Sequence, residues 1–188
     1  MFSDRDIAEA VARHHVVIDP IDDRLLQPAS YDMRLDDKFL LMRPHNLAFI
    51  DPAVDQHDDL YEAVESKSLI IGPGQFVLAS TVEVLTLDRY VYARIEGKSS
   101  LGRLGLLVHS TAGFIDPGFS GTVTLEIGNI SSLPIKLYYG MPICQLALGR
   151  LDRPSARAYD GKYQGQKGPK GSHYFRNFAE GGPMDGWR

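Results

Sequence analysis

The chain has a single cysteine, Cys144, among its 188 residues, so no intrachain disulfide can form. The same shortage excludes a zinc hydrolase built on His-x-Glu and Pro-Cys-x-x-Cys ligands. Cys144 sits in the apolar run Pro142-Ile143-Cys144-Gln145-Leu146 and reads as a small buried hydrophobe. A cytoplasmic location is the default expectation for such cysteine usage. No stretch of about 18 apolar residues is present, so no membrane partner is expected. The first residues, Met1-Phe2-Ser3-Asp4-Arg5-Asp6, are charged at once, unlike a secretory signal. Net positive charge is lacking as well: the formal charge is −4, which argues against nucleic acid as a partner.

The charge that is there is unevenly spread. Asp51 to Glu65 holds six acids and no Lys or Arg. Arg150 to Arg176 holds seven bases against Asp152 and Asp160. Such a basic stretch is either a solvated face or a segment that closes on a polyanion.

Ser3 and Asp6 have capping-box spacing, and Ile7, Ala10 and Val11 recur at helical spacing, which predicts a short helix from Asp4 to Arg13. The period then becomes two. Tyr31, Met33 and Leu35 alternate with polar residues, as do Val91, Ala93 and Ile95, and Val123, Leu125 and Ile127. Gln75–Leu85, Pro134–Tyr139 and Pro142–Leu148 also read as strands. Gly72-Pro73-Gly74, Asp116-Pro117-Gly118 and Tyr139-Gly140 punctuate them as turns. A mainly β sandwich or barrel follows. Pro44 to Ser68 reads as a long acidic loop with little regular structure. Beyond Asp152 the chain is rich in Gly, Lys and Gln, as in a mobile tail that orders on binding, and Ala179 to Arg188 reads as frayed.

Gly97-Lys98-Ser99-Ser100 suggests a phosphate loop, but the Walker signature needs a glycine where Tyr92 stands. What remains is a strand end with two hydroxyls, flanking Lys98 and Arg103, and Gly102 and Gly105. That set suits an anion or an ordinary polar turn. The six histidines form no spaced cluster, and His109, after an apolar run, reads as a satisfied core histidine. Glu126 on a polar strand face is ordinarily solvated, and Asp116 is ordinarily a turn former. Composition and spacing leave the function open.

The motifs narrow it. Gln27-Pro28-Ala29-Ser30-Tyr31-Asp32-Met33-Arg34-Leu35 resembles the first motif of the dCTP deaminase/dUTPase superfamily. Glu96 to Gly105, Thr111 to Gly121, Thr124-Leu125-Glu126 and Gly140 to Leu146 resemble its later motifs, in order. The resemblance runs from Ser3 to Phe178. It implies a β-clip, a distorted jelly-roll dUTPase-like fold with a short N-terminal helix. It also implies a homotrimer with active sites between subunits. One domain, 1–188, is expected, with a mobile C-terminal lid at about 153–178. Typical dUTPases end in a Gly-rich, Phe-containing loop; Lys162-Tyr163-Gln164-Gly165-Gln166 is instead similar to the deaminase tail.

By resemblance, Glu126 is the general base that activates water toward C4 of cytosine and then protonates the departing amine. A carboxylate doing both needs a pKa near neutrality, which partial burial can supply. Ser99 positions base and water, and Lys98, Ser100, Leu101, Gly102 and Arg103 lie in the stretch that meets the phosphates and the reacting centre. Asp116 holds the 3′-hydroxyl. Thr124, Leu125, Gln145, Tyr159, Lys162 and Gln166 are further nucleotide contacts. Mg2+ would ride on the triphosphate, with no zinc. Gly113-Phe114 resembles the bifunctional branch, which takes dCTP to dUMP, with Gly113 leaving room for a second water. The alternatives are a monofunctional deaminase releasing dUTP, a dUTPase without deaminase activity, and a non-catalytic nucleotide sensor. dTTP, a common inhibitor in the superfamily, is a candidate ligand.

Overall fold

The structure, a computed structural model, describes residues 1–43, 47–179 and 181–185. Ser3 caps helix α1 (Asp4–Ala12): its side chain accepts from Asp6 N, and Asp6 in return accepts from Ser3 N at 2.8 Å. Aspartate thus serves where a capping box usually has Glu or Gln. The helix buries Ile7 and Ala10 and ends at Arg13, as the spacing predicts.

Strands β1 (Val16–Asp19), β2 (Leu26–Gln27) and β3 (Ser30–Met42) follow. Next come α2 (His57–Leu60), β4 (Tyr61–Glu65), β5 (Ser68–Ile71), β6 (Phe76–Leu87) and β7 (Val91–Gly97). One helical turn, α3 (Ser99–Gly102), leads to β8 (Leu106–Val108), β9 (Phe114–Ile115), β10 (Ser120–Asn129), β11 (Ile135–Tyr138) and β12 (Pro142–Arg150). The main sheet runs β8-β10-β6-β3-β12-β7-β9, with β1 on β6 and β2 and β4 on β3; β5 and β11 pair separately. The pairings are antiparallel. Register shifts interrupt β10 at Thr122/Thr124, β3 at Leu35/Phe39 and β12 at Pro142/Cys144. Such bulges bend strands and let a long sheet curl around one core.

The period-two pattern places the core. Val91, Ala93 and Ile95 are buried, as are Val123, Leu125 and Ile127. Cys144 is buried too, and burial pushes its thiol pKa up, so it is an inert core residue. On β3 the alternation is incomplete: Asp32 is buried between Tyr31 and Met33. Its face is covered because Lys98 reaches across and donates to Asp32 Oδ2 at 2.6 Å. Glu83, also fully buried, accepts from Arg34 N at 2.9 Å and Arg34 Nε at 2.6 Å. Burying charge needs such pairing.

Two expectations are corrected. The acidic segment is not an unstructured loop, for α2 and β4 lie within it. β4 pairs with the far half of β3, with Lys38 opposite Glu65 and Met42 opposite Tyr61. Backbone pairing to an available sheet edge overrides a side-chain pattern without alternation. Pro44, His45 and Asn46 of that segment lie outside the described residues. The end read as frayed contains turns instead: Met184 N donates to Asn177 O at 2.7 Å and Gly181 N to Asp185 Oδ2 at 2.9 Å. Glu180 and residues 186–188 of that stretch also lie outside the described residues.

Candidate active site

A cavity of about 470 Å³ opens beside β10. Leu125 and Ile127 are buried to 0 % exposure, which turns the intervening Glu126 to the opposite face and into this cavity. Glu126 sits opposite Leu78 on β6, so the central sheet holds its backbone. Its Oε2 accepts from Thr111 Oγ1 at 3.4 Å, and its backbone oxygen from His109 N at 3.0 Å. Gly113, Phe114, Asp116, Thr124, Tyr159 and Gln166 line the same cavity. Asp116 sits at the expected turn: Phe119 N donates to Asp116 O at 3.2 Å, and Gly118 takes φ +90°.

The tail forms one wall. Gly165 N donates to Ser120 O at 2.7 Å, Thr122 N to Gln166 O at 3.0 Å, and Lys170 N to Thr124 Oγ1 at 3.1 Å. The tail runs along β10 before the Thr122/Thr124 bulge, with Gly121 bridged to Gln166, while Val123 N at the bulge donates to Thr81 Oγ1 of β6. Gln166 Nε2 donates to Thr122 O at 2.6 Å. Gln166 Oε1, buried, has no partner among the described residues and remains an acceptor in the cavity wall. Two glycines seat the tail. A Cβ on Gly121 would fall 2.8 Å from Gln166 O, and one on Gly118 would fall 2.6 Å from Ala158 Cβ.

Gly113 has a related role. A Cβ there would stand 2.5 Å from Ile95 O, so the glycine lets its loop close on β7. Ile95 N donates to Gly113 O at 2.8 Å across that approach. The missing side chain points at the strand backbone, which differs from the expected space for a water. Phe114 is half exposed and stacks on Tyr92 at 5.6 Å.

The remaining expected residues do not reach the cavity. Lys98, Ser99, Ser100, Leu101, Gly102 and Arg103 surround α3 at the end of β7, and none lines it. Ser99, Ser100, Gly102 and Arg103 are exposed, while Leu101 packs on the core. Gln145 faces the Lys98–Asp32 pair: it lies opposite Asp32 on β3 and Glu96 on β7, and its Nε2 donates to Ser30 Oγ at 3.1 Å. Asp32 Oδ1 is buried there without a partner among the described residues. Lys162 bonds Asn177 Oδ1 and lies 5.9 Å from the Tyr174 ring. The candidate residues therefore form two groups, a cavity around Glu126 and a cationic edge around Lys98.

Several cavity residues escaped the sequence, among them His109, Tyr61, Tyr163 and Lys170. His109 is a correction: it is not a satisfied core residue but is half buried, with φ +65° and with Nδ1 lacking a partner among the described residues. Its Nε2 lies 2.9 Å from Ala112 O, and the ring lines the cavity. Tyr61, Tyr163 and Lys170 line it as well. Burial raises the Tyr61 pKa, and the nearby Tyr163 and Glu126 charges add to it. The tail motif could have yielded Tyr163, and the basic stretch Lys170. Nothing in the acidic segment marked Tyr61.

Comparison with known proteins fits this arrangement. The profile of the dCTP deaminase-like family matches residues 1–151. A protein of Thermobifida fusca named "dCTP deaminase, dUMP-forming" is 51 % identical over 186 residues, covering 95 % of each chain. Proteins of the same name from Parafrankia sp. and Clavibacter michiganensis are 50 % and 52 % identical, over 95 % of this chain and 92 % of theirs. Among solved structures, the 2′-deoxycytidine 5′-triphosphate deaminase of Agrobacterium tumefaciens superposes with a TM-score of 0.64 at 24 % identity. It covers 80 % of this chain and 48 % of that longer one, and it supports the dUTPase-like fold. With the profile matching most of its length and relatives at half identity along nearly all of it, the chain belongs to the dCTP deaminase-like family.

Proposed function

We propose that the chain hydrolyses dCTP with two waters to dUMP, pyrophosphate and ammonia; the names of its relatives describe dUMP-forming dCTP deaminases. The observation that carries this reading is the placement of Glu126 and Asp116 in one cavity roofed by the tail. Glu126 takes a proton from the first water as its oxygen attacks C4 of cytosine. The C4=N3 double bond opens onto N3; Glu126 returns the proton to the amine, the C4–N bond breaks and ammonia leaves, and the hydroxyl proton passes to N3 as the C4 carbonyl forms. Asp116 accepts from the 3′-hydroxyl. Gln166, which lines the cavity, contacts the nucleotide. The second water attacks the α-phosphorus and breaks the α–β anhydride, releasing pyrophosphate. Gly113 and Phe114 shape the loop beside that step.

The triphosphate brings about four negative charges, and among the described residues the cavity offers one lysine, Lys170. The cationic edge with Lys98, Ser99, Ser100, Arg103 and Gln145 supplies the rest. In this proposal it comes from a neighbouring subunit of a homotrimer, which also brings Ser99 and Arg103 to the reacting centre. Mg2+, if carried on the triphosphate, would neutralise part of its charge there. Among the described residues no cluster of His, Cys, Asp and Glu is spaced as a metal cage. Residues 153–178 act as a lid of a single domain, opening for exchange and closing to exclude water. A cytoplasmic location belongs to the same proposal; among the described residues no helix is long and apolar enough to cross a membrane.

Ammonia and pyrophosphate measured together on dCTP test the reaction. Equal yields, with dUMP as product, are expected. Accumulating dUTP without pyrophosphate would leave a monofunctional deaminase, and no ammonia at all would overturn the deaminase reading.

A further inference from the structure

The α2–β4 corner lies in the acidic segment, outside every motif used above. His57 opens α2, and Tyr61, its extended C-cap and the first residue of β4, donates its backbone N–H to His57 O, which holds the two residues together at the corner. Their ring centroids are 5.5 Å apart, with planes tilted by 48°. The corner is anchored, because β4 is paired along its length to β3. Its two rings therefore have a fixed position relative to the sheet that carries Glu126.

The tail comes to rest on those rings. Gly171 is buried, and a Cβ built on it would fall 2.5 Å from His57 Nδ1 and 3.0 Å from His57 Cε1 and Tyr61 Cε2. Gly171 is not among the positive-φ glycines, so its backbone conformation would accept any side chain. Only the close approach of the two rings demands glycine. On either side of it, Lys170 N bonds Thr124 Oγ1, and Lys170, Gly171 and Ser172 line the cavity together with Glu126 and Tyr61.

We propose that His57 and Tyr61 are positioning residues that form a clasp for the tail. They seat Gly171 so that residues 159–173 close on a nucleotide in the cavity, with Tyr61 as part of its wall. This rests on the reading of the tail as a lid and names what the lid closes against.

A size swap on the full chain tests it, using dCTP as substrate. Gly171→Ala pushes a methyl into the rings and is expected to lower kcat/KM by about tenfold or more. It should also speed amide hydrogen exchange across 159–173 while the core strands stay protected. His57→Ala alone, which leaves Tyr61 in place, is expected to lower kcat/KM by only about threefold, and added to Gly171→Ala it removes the clashing ring and restores kcat/KM to the level of that parent. Wild-type kinetics in Gly171→Ala would overturn the clasp. So would a double variant no better than Gly171→Ala, since general loss of folding is not repaired by removing a second side chain. Truncation after Asp152 separates this from the lid reading. A fully active truncation overturns the lid, whereas an inactive truncation with a wild-type Gly171→Ala overturns the clasp alone.

Discussion

Glu126 shows how far a single side chain can be followed from pattern to chemistry. Period two predicts that Val123, Leu125 and Ile127 face inward, and all three are buried. The direction of Glu126 was therefore legible from the strand alone, while its role came from motif resemblance. Replacing Glu126 with Gln keeps the shape and removes the proton acceptor. Ammonia release from dCTP should fall by at least about 100-fold, the usual scale of general acid–base help. Calorimetry should still detect dCTP binding. Unchanged turnover would sink the assignment of Glu126. His109 was illegible for a physical reason. Its place in the cavity depends on a left-handed backbone at φ +65°, which no run of apolar residues encodes. Asp32 was legible as part of a motif but not as a buried partner of Lys98, because that contact spans 66 positions in the chain.

Elements divide in the same way. Helix α1 was legible because its cap, its periodic face and its end are all local. The acidic segment was not, because Tyr61-Glu62-Ala63-Val64-Glu65 has no alternation and becomes a strand only beside β3. The basic tail read as a segment apart, and the structure lays it along β10 through contacts separated by more than forty residues. One tail residue makes that docking sensitive to pH. His173 stacks on Tyr163 at 5.4 Å, and its Nδ1 is buried without a partner among the described residues. Burial lowers its pKa, with the Arg176 charge next; His57 lowers it further, while Lys162 and Asp55 act the other way. The sign follows from linkage. An undocked His173 titrates at the ordinary value of about 6.5, and a docked one titrates lower. Docking is thus unpenalised above about pH 6.5 and weakens as pH falls through that value toward the docked pKa. Hydrogen exchange at 159–173 should quicken between about pH 7.5 and 5.5, after correction for the intrinsic rate. His173→Phe keeps the stack and removes the titration, so its corrected exchange should be flat over that window. Equal pH dependence in the two proteins would refute the role of His173.

At the scale of the whole molecule the net charge of −4 conceals the arrangement that matters. Glu126 and Asp116 share a cavity with one lysine, while Lys98 and Arg103 sit at an edge that does not line it. Fold class was legible in the spacing of strands and turns. The split between two groups was not, because no local pattern states which surfaces of two chains meet. A closed three-fold ring would bring the cationic edge of one copy to the cavity of the next and leave no unmatched end. Complementation between two disabled chains tests this. Glu126→Gln lacks the base but keeps the edge; Arg103→Ala keeps the base but damages the edge. Each alone should be nearly inactive on dCTP. In trimers assembled at random from equal amounts, a site is intact when an Arg103→Ala copy supplies Glu126 and a Glu126→Gln copy supplies Arg103. Those two conditions are each met half the time, so co-expressed mixtures should recover about a quarter of wild-type activity. A mixture no more active than the average of its parents would mean that each chain completes its own site, and the shared-site trimer would have to be given up.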